Sequence, residues 1–262
     1  MDEAALVRFE IRNGTIAILT FNRPEKMNAL STALLHQFEH HLHQIERDPA
    51  LRVMILTGAG DKAFVAGADI SEYAGQTYAE FVAYQMYARR LFSQLDTFPK
   101  PVIGAINGYA LGGGFEIALC CDVLIASTNA RFGLPEGLLG LSPGGGGTQR
   151  LTRAVGPYVA SDVLLSARRL SAERAYELGL VAEVTEPGQL LDTALDKAQY
   201  MLKVAPLSAR EMKRLIREGV EAPLETGLSL EQEVLFRLYT TQDAAEGIRA
   251  FVEKRTPAFE GK

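Results

Sequence analysis

The chain has 262 residues, 47% of them hydrophobic and 23% charged, a balance that suits a folded protein with a large core. A net charge of -5 argues against nucleic acid or an anionic membrane as the main partner, since both demand basic surface. No apolar run approaches the ~20 residues of a bilayer span. The start, MDEAALVRFE, lacks the basic and apolar stretches of a leader peptide, so a reducing, cytoplasmic setting is expected.

Two β-rich runs, Leu6 to Ile11 and Thr15 to Phe21, flank Arg12-Asn13-Gly14. Asn-Gly between such runs predicts a hairpin, because both residues accept positive φ. Ser31 opens a helix whose Leu34, Leu35, Phe38, Leu42 and Ile45 fall on one arc at helical spacing. Arg52 to Thr57 reads as a buried strand, followed by a long loop from Gly58 to Asp69. A helix between about Tyr78 and Leu95 leads to the stretch from Val102 to Glu136. That stretch reads as a strand (Val102 to Ile106), a tight Asn107-Gly108 turn, three glycines (Gly112 to Gly114), a short helix, and a second strand (Val123 to Ala126). From Leu141 the chain is mostly helical, with one short β-like run at Val181 to Val184. Ser142 and Ser171 are expected to cap helices, and Pro206 and Pro223 divide the last segments. Strands then helices imply an α/β fold with the C-terminal helices as a second layer or interface.

All four histidines, His36, His40, His41 and His43, lie on one helix, and no cysteine or carboxylate completes a metal set there. Cys120-Cys121 reads as a pair of small buried thiols. Gly140-Leu141-Ser142-Pro143-Gly144 imitates a hydrolase nucleophile elbow, but proline has no N–H to serve as oxyanion donor and no histidine follows. Gly58-Ala59-Gly60 lacks the first-strand position of a dinucleotide fingerprint. What remains is a glycine turn opening a helix that carries Glu116, with Glu136 on a nearby loop. Two carboxylates beside free backbone amides suit proton chemistry next to a developing oxyanion.

Several blocks at joint spacing carry a resemblance. They are Phe21-Asn22-Arg23-Pro24 with Asn28-Ala29-Leu30, Ala63 to Ile70, Pro101 to Asp122, Phe132 to Glu136, Gly147 to Leu151, and Ala175 to Val181. Over essentially its whole length the chain resembles the enoyl-CoA hydratase/isomerase (crotonase) superfamily. The resemblance implies a spiral of ββα turns over residues 1–200 and a C-terminal helical trimerisation region over 201–262, assembled as a homotrimer or a hexamer. It implies an oxyanion hole from the backbone N–H groups of Ala68 and Gly113, with Glu116 and Glu136 as the catalytic acid and base. It also implies contacts to an acyl-CoA substrate from Lys26, Lys62, Ala66, Asp69, Ile70 and Lys254, with no metal and no cofactor beyond the CoA of the substrate. Having both glutamates favours hydration of a 2-trans-enoyl-CoA over the alternatives: double-bond isomerisation, a specialised acyl-CoA dehydration, or binding without chemistry.

Overall fold

The structure is a computed structural model and describes residues 5–262. The predicted hairpin forms from β1 (Val7–Arg12) and β2 (Ile16–Phe21), with Asn13 and Gly14 both at positive φ. The first helix, α1 (Thr32–Arg47), is capped by the Ser31 side chain, which accepts from the Leu34 amide, and it buries the five residues of its apolar arc. The next turn is β3 (Val53–Gly58), β4 (Ala63–Val65) and α2 (Tyr78–Asp96). After it come β5 (Val102–Ile106), β6 (Tyr109–Leu111) and α3 (Gly113–Ala118), then β7 (Val123–Ser127) and β8 (Arg131–Gly133).

From β3 on, each turn therefore places one long strand, one short strand and one helix, and the next turn repeats the set one strand-width along, ~4.8 Å. The long strands, with the three-residue β10 (Glu183–Thr185) at the far edge, build a six-stranded sheet in the order β1-β2-β3-β5-β7-β10, parallel after the first hairpin. The short ones, with β9 (Leu170–Ser171), build a second sheet, β4-β6-β8-β9. This is the expected spiral of ββα turns.

Helices follow: α4 (Gly147–Val155), α5 (Pro157–Ser166), the two-residue β9 (Leu170–Ser171), α6 (Ala172–Glu177), β10 (Glu183–Thr185) and α7 (Leu190–Met201). Pro206 and Pro223 divide α8 (Pro206–Gly219) from α9 (Leu224–Tyr239), and α10 (Gln242–Val252) closes the order.

Both faces of the large sheet are covered over its central strands, so β2, β3, β5 and β7 are largely apolar and buried, while the edge strand β1 carries Arg8, Glu10 and Arg12. Along β2, Ala17, Leu19 and Phe21 join the main core with α1 and α2. Ile16 and Ile18 point the other way, into a smaller cluster with Leu190, Ala194 and Ala198 of α7.

Three expectations are corrected. The segment from Gly58 to Asp69 is not all loop, since Ala63–Val65 pairs in parallel with β6. Asn107-Gly108 does not fold the chain back on itself. It steps from the large sheet to the small one, and a Cβ on Gly108 would overlap the Lys62 carbonyl. Ser142 caps no helix: α4 starts at Gly147, and its N-cap is Gly146 at φ 112°, with no side-chain cap. Ser171, by contrast, does cap α6, accepting from the Arg174 amide.

Candidate active site

A cavity of about 380 Å³ opens where the small sheet meets α2, α3 and the loop before α4. Ala66, Ala68, Ile70, Gly113, Glu116 and Glu136 all line it. The first three sit on the segment after β4. That segment is tied down by Leu30, whose amide donates to the Gly67 carbonyl at 2.9 Å and whose carbonyl accepts from the Asp69 amide at 2.8 Å. The Ala68 amide lies between these two bonds and donates to no backbone carbonyl among the described residues. The Gly113 amide, at the first position of α3, is likewise free, as the first N–H groups of any helix are.

Buried side chains hold this geometry. Asn28 is fully buried and donates to the Ala59 and Ala63 carbonyls at 3.0 and 2.7 Å, pinning both ends of the loop before β4. Asn107 bonds both the amide and the carbonyl of Gly58. Asp69 accepts from the Ser71 hydroxyl at 2.5 Å and pairs with Arg23 at 2.9 Å, and these two partners, Ser71 foremost, hold its carboxyl below the usual range. Asp69 therefore anchors the segment and does not line the cavity.

Glu116 is 4% exposed on α3. Its Oε1 accepts from the amides of Gly145 and Gly147, both at 2.8 Å. Burial pushes its carboxyl upward, while those two amides and the nearby Arg150 pull the other way. Only glycine fits at 145, because a Cβ there would come within 2.6 Å of Glu116 Oε2. The carbonyl of Gly145 in turn accepts from Arg150 Nη1 at 2.8 Å, and Arg150 pairs with Asp96. Asp96 pairs with Arg217 of α8, which reaches Asp122, and Asp122 pairs with Lys213 at 2.8 Å. A chain of charges thus runs from the wrap around Glu116 to the C-terminal helices.

Glu136 sits at the start of a 3-10 turn, Pro135–Leu139, just after β8. Its Oε2 is buried without a hydrogen-bond partner among the described residues. Burial pushes its carboxyl up to about 7, with the Glu116 charge adding to the rise. A Cβ on Gly112, which has φ 50°, would come within 3.1 Å of Glu136 Oε1, so the glycine turn opens α3 and makes room for the second carboxylate.

Lys26, Lys62 and Lys254 are exposed and lie outside the cavity wall. Gly145 and Gly147 as donors to Glu116, and Gln85 on the cavity wall, lie outside the site residues expected from the sequence. Phe81, Gln85, Ala88 and Phe92 line the cavity from one face of α2, and their spacing of four, three and four residues is the signal that marks that face. The four histidines stay on the outer side of α1. No group of three or more potential metal ligands occurs among the described residues, and no helix there is long and apolar enough to cross a membrane.

Residues 11–262 match the family model described as enoyl-CoA hydratase/isomerase. A short-chain-enoyl-CoA hydratase from Clostridium acetobutylicum is 42% identical over 244 residues, covering 93% of this chain and 94% of that protein. A 2,3-dehydroadipyl-CoA hydratase from Escherichia coli is 42% identical, covering 96% of this chain and 97% of that one. The crystal structure of an enoyl-CoA hydratase from Bacillus anthracis superposes with a TM-score of 0.95 at 39% identity, covering 98% of this chain and 100% of that one.

Proposed function

This chain belongs to the enoyl-CoA hydratase/isomerase family, and from that premise we propose that it is an enoyl-CoA hydratase adding water reversibly to a 2-trans-enoyl-CoA. The observation that carries the reading is the pair of buried carboxylates, Glu116 and Glu136, lining one cavity with the free amides of Ala68 and Gly113.

The two carboxyls have unlike surroundings, and that separates their roles. Glu116 accepts two amide hydrogen bonds, which favour the ionised form, so it takes the proton from water. Glu136, unpartnered at Oε2 and raised to about 7, is protonated in a large share of molecules at neutral pH, and that form delivers its proton to carbon. As the water oxygen bonds to C3, the C2–C3 π pair shifts and negative charge gathers on the thioester oxygen. The Ala68 and Gly113 amides stabilise that oxyanion; one such donor is worth about 3–4 kcal/mol. Collapse of the enolate with proton transfer from Glu136 to C2 gives the 3-hydroxyacyl-CoA. The oxidation state does not change overall, so the reading calls for no redox cofactor, and CoA enters with the substrate.

The reading extends to assembly. Ile216, Leu224, Phe236 and Phe251 of α8 to α10 are 65–86% exposed. Surface of this kind favours contact with other copies, in support of a homotrimer or hexamer; light scattering tests it. Lys26, Lys62 and Lys254 remain candidates for the phosphate end of CoA.

The activity test follows loss of the conjugated thioester absorbance of crotonyl-CoA and longer enoyl-CoAs. Decay that is lost in Glu116→Gln and Glu136→Gln is expected. No decay at any chain length would sink the hydratase reading, and a double-bond shift without hydration would replace it with isomerisation.

A further inference from the structure

Away from the two glutamates, the cavity wall is mostly aromatic and aliphatic, and besides Ser142 and Tyr84 it carries one polar pair joined by a hydrogen bond. Tyr73 follows the segment that carries Ala68, and Gln85 lies on the inner face of α2. Gln85 Nε2 donates to Tyr73 Oη at 3.0 Å. That bond uses one acceptor of the phenol and one donor of the amide. The neighbouring Tyr84 hydroxyl donates to the Leu30 carbonyl at 3.4 Å, and among the hydrogen bonds of the described residues the Tyr73 phenol proton has no acceptor and Gln85 Oε1 no donor. Gln85 Oε1 lies over Gly144, where a Cβ would come within 2.8 Å of it.

The phenol of the pair is also packed in place. The Tyr73 ring packs edge-on against Phe81 and Tyr84, each with centroids 5.4 Å away. Burial raises the Tyr73 phenol, so it keeps its proton as a donor. A free donor and a free acceptor joined by one hydrogen bond match a hydroxyl group, which accepts and donates at once, and half match a carbonyl. A plain alkyl chain would dry both groups and pair neither.

We infer that Tyr73 and Gln85 are specificity-determining residues that receive a neutral hydrogen-bonding substituent, a hydroxyl or carbonyl group, on the acyl chain of the enoyl thioester. The inference rests on the hydratase reading for the identity of the substrate. Neutrality follows from charge. Among the described residues the cavity wall holds two carboxylates and no lysine, arginine or histidine, so an acyl chain ending in a carboxylate would meet like charge without a counter-ion.

The test compares 2-hexenoyl-CoA with versions hydroxylated at C4, C5 or C6, and with 2,3-dehydroadipyl-CoA as the anionic case. At least one hydroxylated substrate is expected to exceed 2-hexenoyl-CoA in kcat/KM by about 10–100-fold, the range that an unpaired buried polar group imposes. The carboxylate should be the poorest. In Tyr73→Phe and Gln85→Leu the ratio of hydroxylated to plain substrate should fall towards one. A wild-type ratio near one at every position, or a ratio kept in both variants, would overturn the inference. Calorimetric binding of saturated hexanoyl-CoA and its hydroxylated counterparts to the wild type separates the two readings. Preference for the hydroxylated ligands without turnover of any enoyl thioester would leave the pocket intact and remove the hydratase. Turnover without preference would do the reverse.

Discussion

From β3 on the two sheets share every turn of the spiral, yet they are made of different material. In the large sheet, β2, β3 and β5 are five or six residues long and nearly every position is buried. In the small sheet the strands are two or three residues long. They keep their places through side-chain staples such as Asn28 and Asn107, and through glycines that let backbones touch. The first sheet is held by area, which is redundant; the second by a few contacts, which are not. The cavity belongs to the second. Stability and activity should therefore respond to different residues, and four substitutions test how far they separate.

Glu116→Gln should lower kcat by about 10²–10⁴-fold, the contribution of a positioned acid or base. Its unfolding temperature should not fall, because the amide oxygen of glutamine still accepts from Gly145 and Gly147 and a buried charge is gone. Turnover and a thermal melt on the same sample check both halves. Ile55→Ala is the converse. It truncates a fully buried residue between β3 and α7 and should cost about 2–5 kcal/mol in denaturant unfolding, with kcat nearly unchanged. A large loss of kcat there would mean that the two sheets are not separable. Gly114→Ala sits at the joint between α3 and β4, where a Cβ would overlap the Val65 carbonyl oxygen. It should cost about 1–3 kcal/mol of stability and about 10²-fold in rate together.

The smallest effect is a dependence on pH. The Glu136 carboxyl stands at about 7 against an ordinary 4.5, so the folded chain holds a proton that the unfolded chain releases. Its contribution to stability is complete below pH 4.5 and is lost as pH rises through about 7. Glu136→Gln should thus leave the melting temperature unchanged at pH 4 and raise it above pH 7 by about 2–4 °C, the shift for about 1 kcal/mol once solvent screening is allowed for. In the wild type, hydration of enoyl-CoA should decline on the alkaline side of the same value. An equal gain at both pH values would show that the raised carboxyl is not the cause.

The same contrast explains what the sequence made legible. The hairpin and α1 were readable because Asn13-Gly14, the Ser31 cap and a periodic apolar arc are local signals that agree with one another. Ala63–Val65 and Tyr109–Leu111 were not, since three residues are too few for alternation to show and their partners are distant in the chain. Glu116 and Glu136 were visible only through the glycines and turn residues around them. Gly145 and Gly147 were hidden because a run of glycines looks the same whether it caps a helix or wraps a carboxylate. Ser142 shows the error that follows: a serine before a helix suggests a cap, but the positive φ at Gly146 had already supplied the start.

The charge chain from Arg150 to Lys213 has a practical meaning for shortening this protein. Within it Asp96, Asp122 and Arg150 belong to the part of the chain before Met201, while Lys213 and Arg217 come from α8. A protein cut at the end of α7 would keep two half-buried acids and lose two of their three cations. Since Arg150 also grips the Gly145 carbonyl, the surviving arginine would be drawn between two tasks. The last 61 residues, 202 to 262, are therefore not a detachable handle, and swapping them between relatives would have to carry the partners of Lys213 and Arg217 along.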